Sequence, residues 1–313
     1  MDSPKNGSGK VQLDIYQIVT DRIMTLLNEG VVPWQKPWTD AGPPINLLSK
    51  RPYRGINFWL LHSLPYTQNY FLTWEQVKAA GGSVNKDEKG HMIVFWKNIK
   101  KKPEEFDEKG NAKLIPMLRY YKVFNIEQCR DIPPGLMPVK NTELVDVDPL
   151  FACDEILNDM PTKPDLMVKG KAAYYTPETD VITMPPLKQF KSKEQYYGTL
   201  FHEIIHSTGH QSRLNRKGVV DCKPFGTPDY SLEELVAELG SAYLCHEAGI
   251  LPNTISDSAS YINNWLEVLK GDKRFIIQAS GFAQKAADYV LNVQTGNDPK
   301  EEVEEPVGES VVG

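Results

Sequence analysis

Two α+β domains are what this 313-residue sequence predicts, and three observations carry the expectation. The length suits two domains, each with its own core. Helical spacing and strand alternation of apolar residues occur side by side in both halves. A proline-punctuated stretch, DIPPGLMPVKNTELVDVDP, separates them. The expected layout is a first domain at 11–130, a linker at 131–150, a second domain at 151–296 and an acidic tail at 297–313 whose composition predicts disorder.

Charge divides along the same line. Residues 1–130 hold 19 Lys+Arg against 13 Asp+Glu, and the remainder 16 against 28. A basic half and an acidic half point to different partners. No apolar run approaches the length that spans a membrane. The start, MDSPKNGSGK, has no apolar segment of the secretory kind. Cys129, Cys153, Cys222 and Cys245 are scattered without a CxxC pair, which argues against a disulfide framework or a cysteine zinc site. That usage suits a reducing cytoplasm.

In the first half, LDIYQIVTDRIMTLLNEG reads as an amphipathic helix with Ile15, Ile18, Val19, Ile23, Leu26 and Leu27 on one face and Gly30 as its stop. VVPWQKPW is too rich in proline for a helix. TWEQVKAAGG opens a short helix with Thr73 and Gln76 as a capping box. HMIVFW and LIPMLRYYKVFNI read as two strands around a polar loop. Aromatic residues alternate with basic and amide residues throughout, and five of the six tryptophans lie in this half. Bases stack on aromatic faces while cations follow the phosphates, so the pattern points to single-stranded nucleic acid. The candidate contacts are Trp34, Trp38, Arg54, Asn57, Trp59, Trp74, Lys97, Arg119 and Tyr121.

In the second half, AAYYTPETDVITMPP alternates and closes on Pro185-Pro186, as an edge strand or one arm of a hairpin does. An edge strand could hold an extended peptide by main-chain pairing. Residues 193–209 then read as one helix carrying His202-Glu203-Ile204-Ile205-His206, the HExxH pattern of hydrolytic zinc sites. Histidines four apart share one helix face and can point at one metal. Glu203 beside them can act as general base on water. The extended pattern would place a third histidine three residues after Gly209, where this chain has Ser212, so the third ligand comes from elsewhere.

The best candidate lies in SLEELVAELGSAYLCHEAG. Leu232, Leu235, Val236, Leu239, Ala242 and Tyr243 form a core-facing stripe, and Glu234, Glu238, Ser241 and Cys245 form a second. On that register Glu234 is the expected third ligand and Glu238 orients a ligating histidine through its second ring nitrogen. Glu233 falls on neither stripe, which argues against it. His210 and Tyr243 are both open as oxyanion donors. The metal expected is one Zn2+, or another divalent ion.

DIYQIVTDRIMTLLNEGVVPWQKPW, RPYRGINFWLL, TWEQVKAAGG and YYKVFNIEQC resemble the N-terminal domain of ArdC-type antirestriction proteins, also found in plasmid-encoded primases. YYTPETDVITMPP, TLFHEIIHSTGH, RLNR, EELVAELGSAYLC and YINNWLEVLKGDKRFIIQASGFAQKAADYVL resemble the metallopeptidase-like second domain of that family. The resemblance runs in order from about Leu13 to Asn292. It implies a single-stranded DNA-binding domain followed by a zincin-like domain, carried on mobile elements and protecting incoming DNA from restriction. It also implies ligands at His202, His206 and a glutamate of EELVAE, without choosing between Glu234 and Glu238, and Glu203 as general base. Asp87 and Glu88 stand where the family usually has a glycine in a basic turn.

The sequence therefore predicts a zinc-dependent peptidase acting on a restriction subunit or another protein at DNA. The other reading is a DNA-coating protein whose metal site only holds the fold.

Overall fold

The computed structural model describes residues 13–36, 42–100, 106, 114–136, 148–221, 228–251 and 259–293. Trp38, residues 137–147 of the expected linker and the acidic tail lie outside the described residues.

The first helix, α1 (Ile15–Asn28), is capped by Asp14, whose carboxylate accepts from the Gln17 amide. Gly30 follows at φ +78, a left-handed position that stops the helix without a Cβ penalty. The prolines of VVPWQKPW produce a 3₁₀ turn, Pro33–Gln35, that carries Trp34 into the interior. Then come β1 (Ile45–Asn46), α2 (Ile56–His62), β2 (Tyr70–Thr73), α3 (Trp74–Ala79) and β3 (Ser83–Val84). The Thr73–Gln76 capping box forms in both directions. The two expected strands are β4 (His91–Lys100) and β5 (Leu114–Asn125), a long antiparallel pair, with β6 (Cys129–Arg130) after them. The main sheet runs β1-β2-β5-β4, and β3 pairs with β6 apart from it. In the turn before β4, Asp87 takes φ +68, a conformation aspartate tolerates better than most residues.

In the second domain, Asp148 caps α4 (Pro149–Asp159), so this helix begins within the stretch expected as linker. Strands β7 (Asp165–Val168), β8 (Tyr174–Thr176) and β9 (Val181–Met184) form a sheet ordered β7-β9-β8. The segment before Pro185-Pro186 is thus a hairpin whose second arm is the central strand. Ile182, Thr183 and Met184 are buried there, and β8 takes the edge. Four further helices complete the set that frames the site: α5 (Lys193–Ser207), the short α6 (Lys217–Val220), α7 (Pro228–Glu247) and α8 (Ala259–Gly271). A last helix, α9 (Phe275–Val290), packs along α7. Among the described residues no helix is long and apolar enough to cross a membrane.

The two domains do not keep separate cores. One buried cluster takes in Val19, Ile23 and Leu27 of α1, Trp34, and Phe58 and Trp59 of α2. It continues without a break into Phe201 and Ile205 of α5, Leu235 and Leu239 of α7, and Ala283 and Ala287 of α9. Smaller clusters under the main sheet, around Phe71 with Ile93 and around Leu72 with Val77, belong to the first domain alone. Polar contacts reinforce the junction. The Tyr243 hydroxyl donates to the Gly55 carbonyl at 3.1 Å, the Gly55 amide donates to Gln284 Oε1 at 3.1 Å, and Arg54 pairs with Asp288.

Within that core, α5 and α7 meet at Gly240. A Cβ added there would lie 2.8 Å from Ile205 Cδ1 and Cγ2 and 2.9 Å from Cγ1, and Ile205 is fully buried. The missing side chain sets how closely the helices approach. Gly240→Ala is expected to overpack the crossing and lower unfolding stability by about 1–3 kcal/mol, readable as a shifted denaturant midpoint. An unchanged midpoint would mean that the helices have room to separate.

Candidate metal centre and nucleic-acid face

The α5–α7 crossing delivers side chains from two helices to one point. His202 and His206, one turn apart on α5, aim their Nε2 atoms at each other across 3.1 Å. From α7, Glu234 Oε2 lies 3.6 Å from His202 Nε2, and Oε1 lies 3.5 Å from His206 Nε2. Ligands bound to zinc at about 2.0–2.1 Å in a tetrahedron sit roughly 3.3 Å apart, so the three separations fit one small divalent ion. Among the described residues this is the group of His, Cys, Asp and Glu side chains spaced to hold a metal.

A charged network backs these candidate ligands. His206 Nδ1 faces Glu233 Oε1 at 3.3 Å. Glu233 is buried and receives Arg216 Nε at 2.9 Å on its other oxygen. The same guanidinium donates to Thr208 Oγ1 at 2.6 Å and to the Ile205 carbonyl at 2.8 Å, so it also caps the end of α5. Arg216 reaches this position because the chain turns back at Gly209, where a Cβ would lie 2.4 Å from Val219 Cγ2. Gly209 lies just past the end of α5 and has no side chain where α6 packs on it.

Glu233, which the group spaced to hold a metal leaves out, is thus the carboxylate that faces the second ring nitrogen of His206, the position expected for Glu238. The stripe argument failed because a partner from another segment, Arg216, draws Glu233 inward. Glu238, expected in that role, accepts from Trp34 Nε1 at 2.8 Å and from the Tyr261 hydroxyl. Of the proposed oxyanion donors, Tyr243 is committed to Gly55 and His210 Nδ1 to Ser212 at 2.7 Å. The structure brings up a residue that the sequence reading missed. Tyr230, in the first turn of α7, hydrogen-bonds Glu234 and lies within electrostatic reach of Glu203. Burial and the Glu234 carboxylate push its phenol up to about 12, so it remains a proton donor at neutral pH. Only its one-turn spacing from Glu234 could have flagged it.

The nine residues expected at nucleic acid divide by position. Across β4 and β5, Ile93 pairs with Tyr121, Phe95 with Arg119 and Lys97 with Met117. Directly opposed residues share a sheet face, so Lys97, Arg119, Tyr121 and Phe95 lie together, with the Phe95 and Tyr121 rings 5.5 Å apart. Trp74 is 40% exposed, with the Lys78 ammonium 3.3 Å above its ring. Arg54 is held by Asp288 at the domain junction. Three expectations are corrected. Trp34 and Trp59 are 2% and 1% exposed and fill the core, out of reach of a base. The Asn57 amide is spent on the Val94 main chain, with both bonds at 2.7 Å, and pins α2 to β4.

Protonation ties the three candidate ligands together. Burial opposes a charge on His206, yet hydrogen bonds to Glu233 and Glu234 outweigh it and raise its value to about 10. Burial likewise works against ionised Glu234, but His202 and His206 hold it well below its ordinary 4.5. Raised His206 stabilises the metal-free fold fully below its ordinary 6.5, and this is lost as pH climbs toward 10. Lowered Glu234 contributes above 4.5, and this is lost in acid. A metal held by His206 would have to displace its proton. Binding at pH 8 should therefore release about one proton per ion, and affinity should rise about tenfold per pH unit between roughly pH 7 and 9. Calorimetry in buffers of different ionisation enthalpy gives the proton count, and a count of zero would show that His206 is neutral before the metal arrives.

Comparison with known proteins adds to this geometry. Residues 153–282 match a family of zincin-like metallopeptidases, and residues 13–124 match the N-terminal domain of the anti-restriction factor ArdC. The crystal structure of ArdC from plasmid R388, metal-free, is 37% identical with a TM-score of 0.70, covering 90% of this chain and 97% of that one. A Mn(II)-bound structure of the same protein is 36% identical with the same TM-score of 0.70, covering 90% and 98%. The protein y4eC of Sinorhizobium fredii is 31% identical over 303 residues, 93% of this chain and 95% of that one. The DNA primase TraC of Escherichia coli is 32% identical over 294 residues, which are 88% of this chain and 20% of the primase.

Proposed function

A chain that matches ArdC over nearly the whole of both belongs to the ArdC-type antirestriction family, and from that membership we propose that its first domain binds single-stranded DNA while its second is a zinc-dependent peptidase. The convergence of His202, His206 and Glu234 beside Glu203 carries the enzymatic part. Those three residues would hold the ion. Bound there, zinc supplies a Lewis acid that polarises a carbonyl and lowers the pKa of water to about 7.

The chain's own residues do the rest. Glu203 takes the proton of the attacking water and delivers it to the departing amine nitrogen as the peptide C–N bond breaks. Tyr230 turns its single phenolic hydrogen from Glu234 to the carbonyl oxygen as that atom gains charge. Glu233, fixed by Arg216, keeps His206 in the ligating orientation. At the sheet edge, β8 packs against α5 and offers main-chain pairing to an extended segment of a protein substrate, a component of the restriction system among the candidates.

Support for DNA binding comes from the shared face of Lys97, Arg119, Tyr121 and Phe95. Stacking on the two rings tolerates any base, and the cations follow the phosphates. Replacing Lys97 and Arg119 together by alanine should weaken oligonucleotide binding at every sequence and reduce the salt slope by roughly 0.7 for each phosphate no longer neutralised. An unchanged salt slope would place the strand on another face.

Glu203→Gln separates the peptidase from a DNA-coating protein with a structural metal. The variant should keep metal and oligonucleotide binding, and lose about 10²-fold or more in cleavage along with protection from restriction. Full protection by the metal-loaded variant would sink the enzymatic reading and leave the coating one.

A further inference from the structure

The sheet of the second domain has two edges. β8, which lies against α5, forms one, and β7 forms the other. The chain at 165–169 reads DLMVK, apolar in the middle with opposite charges at its ends. Leu166, Met167 and Val168 are 51%, 44% and 55% exposed, so neither face of this strand is covered. Leu187 is exposed beside them, in the turn tied to the strand end by Gln189 Nε2, which donates to the Gly170 carbonyl at 3.1 Å. An apolar strand with an open edge is a template for pairing, which proteins ordinarily blunt with charge, proline or a covering element.

The ladder decides which main-chain groups of β7 are free. The Asp165 N–H donates to the Asp180 carbonyl at 3.0 Å and the Lys169 N–H to the Met184 carbonyl at 2.9 Å, both on the β9 side. Successive N–H groups in a strand point to opposite sides, so Leu166 and Val168 turn theirs outward, with their carbonyls. A second β7 laid antiparallel about Met167 sets Leu166 against Val168 on both sides of the centre. Those are the residues with outward groups, so each pair exchanges both of its main-chain hydrogen bonds. The same register sets Asp165 of each copy against Lys169 of the other, in the pairs where side chains come closest and unlike charges attract. Centring on Leu166 instead opposes Lys163 to Lys169 and spends the outward N–H of Val168 on Pro164, which has none to return.

We propose that β7 is the surface through which two copies of this chain associate, two-fold symmetric about Met167 and closed at both ends by Asp165–Lys169 pairs. Such a contact is self-complementary and stops at the dimer. It joins two sheets into one of order β8-β9-β7-β7-β9-β8, with a β8 edge at each outer end. The edge beside each candidate metal centre stays open, and the pairing holds whatever that centre does. The strand is short for an interface, so the dimer is reversible and its population depends on concentration.

Sedimentation velocity of the full chain over a wide concentration series tests it. The substituted positions are all exposed, so the fold tolerates the changes. Lys169→Asp opposes two carboxylates at each end and should raise the dimer dissociation constant about tenfold or more. Asp165→Lys should do the same with two ammonium groups, and the two substitutions combined should return the parent value. Met167→Cys sets a thiol against its own copy, so mild oxidation should cross-link it above the background of the parent's cysteines. Leu166→Cys, opposite Val168, should stay at that background. Monomer at every concentration, a dimer indifferent to either charge reversal, a double variant no better than the singles, or equal cross-linking of the two cysteine variants would each overturn the interface. Dimerisation only after removal of residues 297–313 would give the edge to the acidic tail and overturn it as well.

Discussion

Helices α5 and α7 have to come close enough for a carboxylate on one to meet two imidazoles on the other, and much of the second domain is organised around that approach. Gly240 removes the side chain that would hold them apart, and Ile205 fills the space it leaves. The charges brought together are costly to bury alone. Arg216 offsets this with bonds to Glu233, Thr208 and the Ile205 carbonyl, so one guanidinium serves the carboxylate, the helix end and the histidine behind it. Taking away one partner of such a buried set leaves the other uncompensated, a loss of about 3–5 kcal/mol in comparable cases. The network therefore belongs to the fold as well as to the chemistry.

What is legible in the sequence is mostly local. The spacing in α1, the Thr73–Gln76 box, the β4–β5 alternation and the one-turn separation of His202 and His206 all concern residues within a few positions of one another. Glu234 follows from a similar local argument along α7. Glu233 does not, because its meaning depends on Arg216, which arrives only through the turn at Gly209. Trp34, Trp59 and Asn57 are misplaced by sequence pattern for a related reason. An indole that stacks on a base and one that fills a core leave the same mark in a composition. Burial in the folded core separates them, and that depends on elements far apart in the sequence.

The shared core changes what a domain boundary means here. Sequence composition divides the chain near residues 131–150, yet α1 and α2 pack their apolar faces into the cluster that holds α5, α7 and α9. The first domain consequently does more than hang from the second by a linker. Its Trp34 indole donates to Glu238 of α7, its Gly55 carbonyl accepts from Tyr243, and its Gly55 amide donates to Gln284.

That junction bears on how a nucleic-acid face and a metal centre would cooperate. Two modules on a flexible tether sample each other's surroundings at an effective concentration that falls with tether length. Modules joined by a common core hold one orientation, and the junction between them transmits displacement because packed interiors deform little. A DNA strand lying on the Lys97–Arg119–Tyr121 face would then present to α5 only proteins bound at a fixed offset along that strand. Position on the DNA, more than the residues flanking a scissile bond, would select what the metal centre meets, and β8 could make its main-chain pairing with little demand on side-chain sequence.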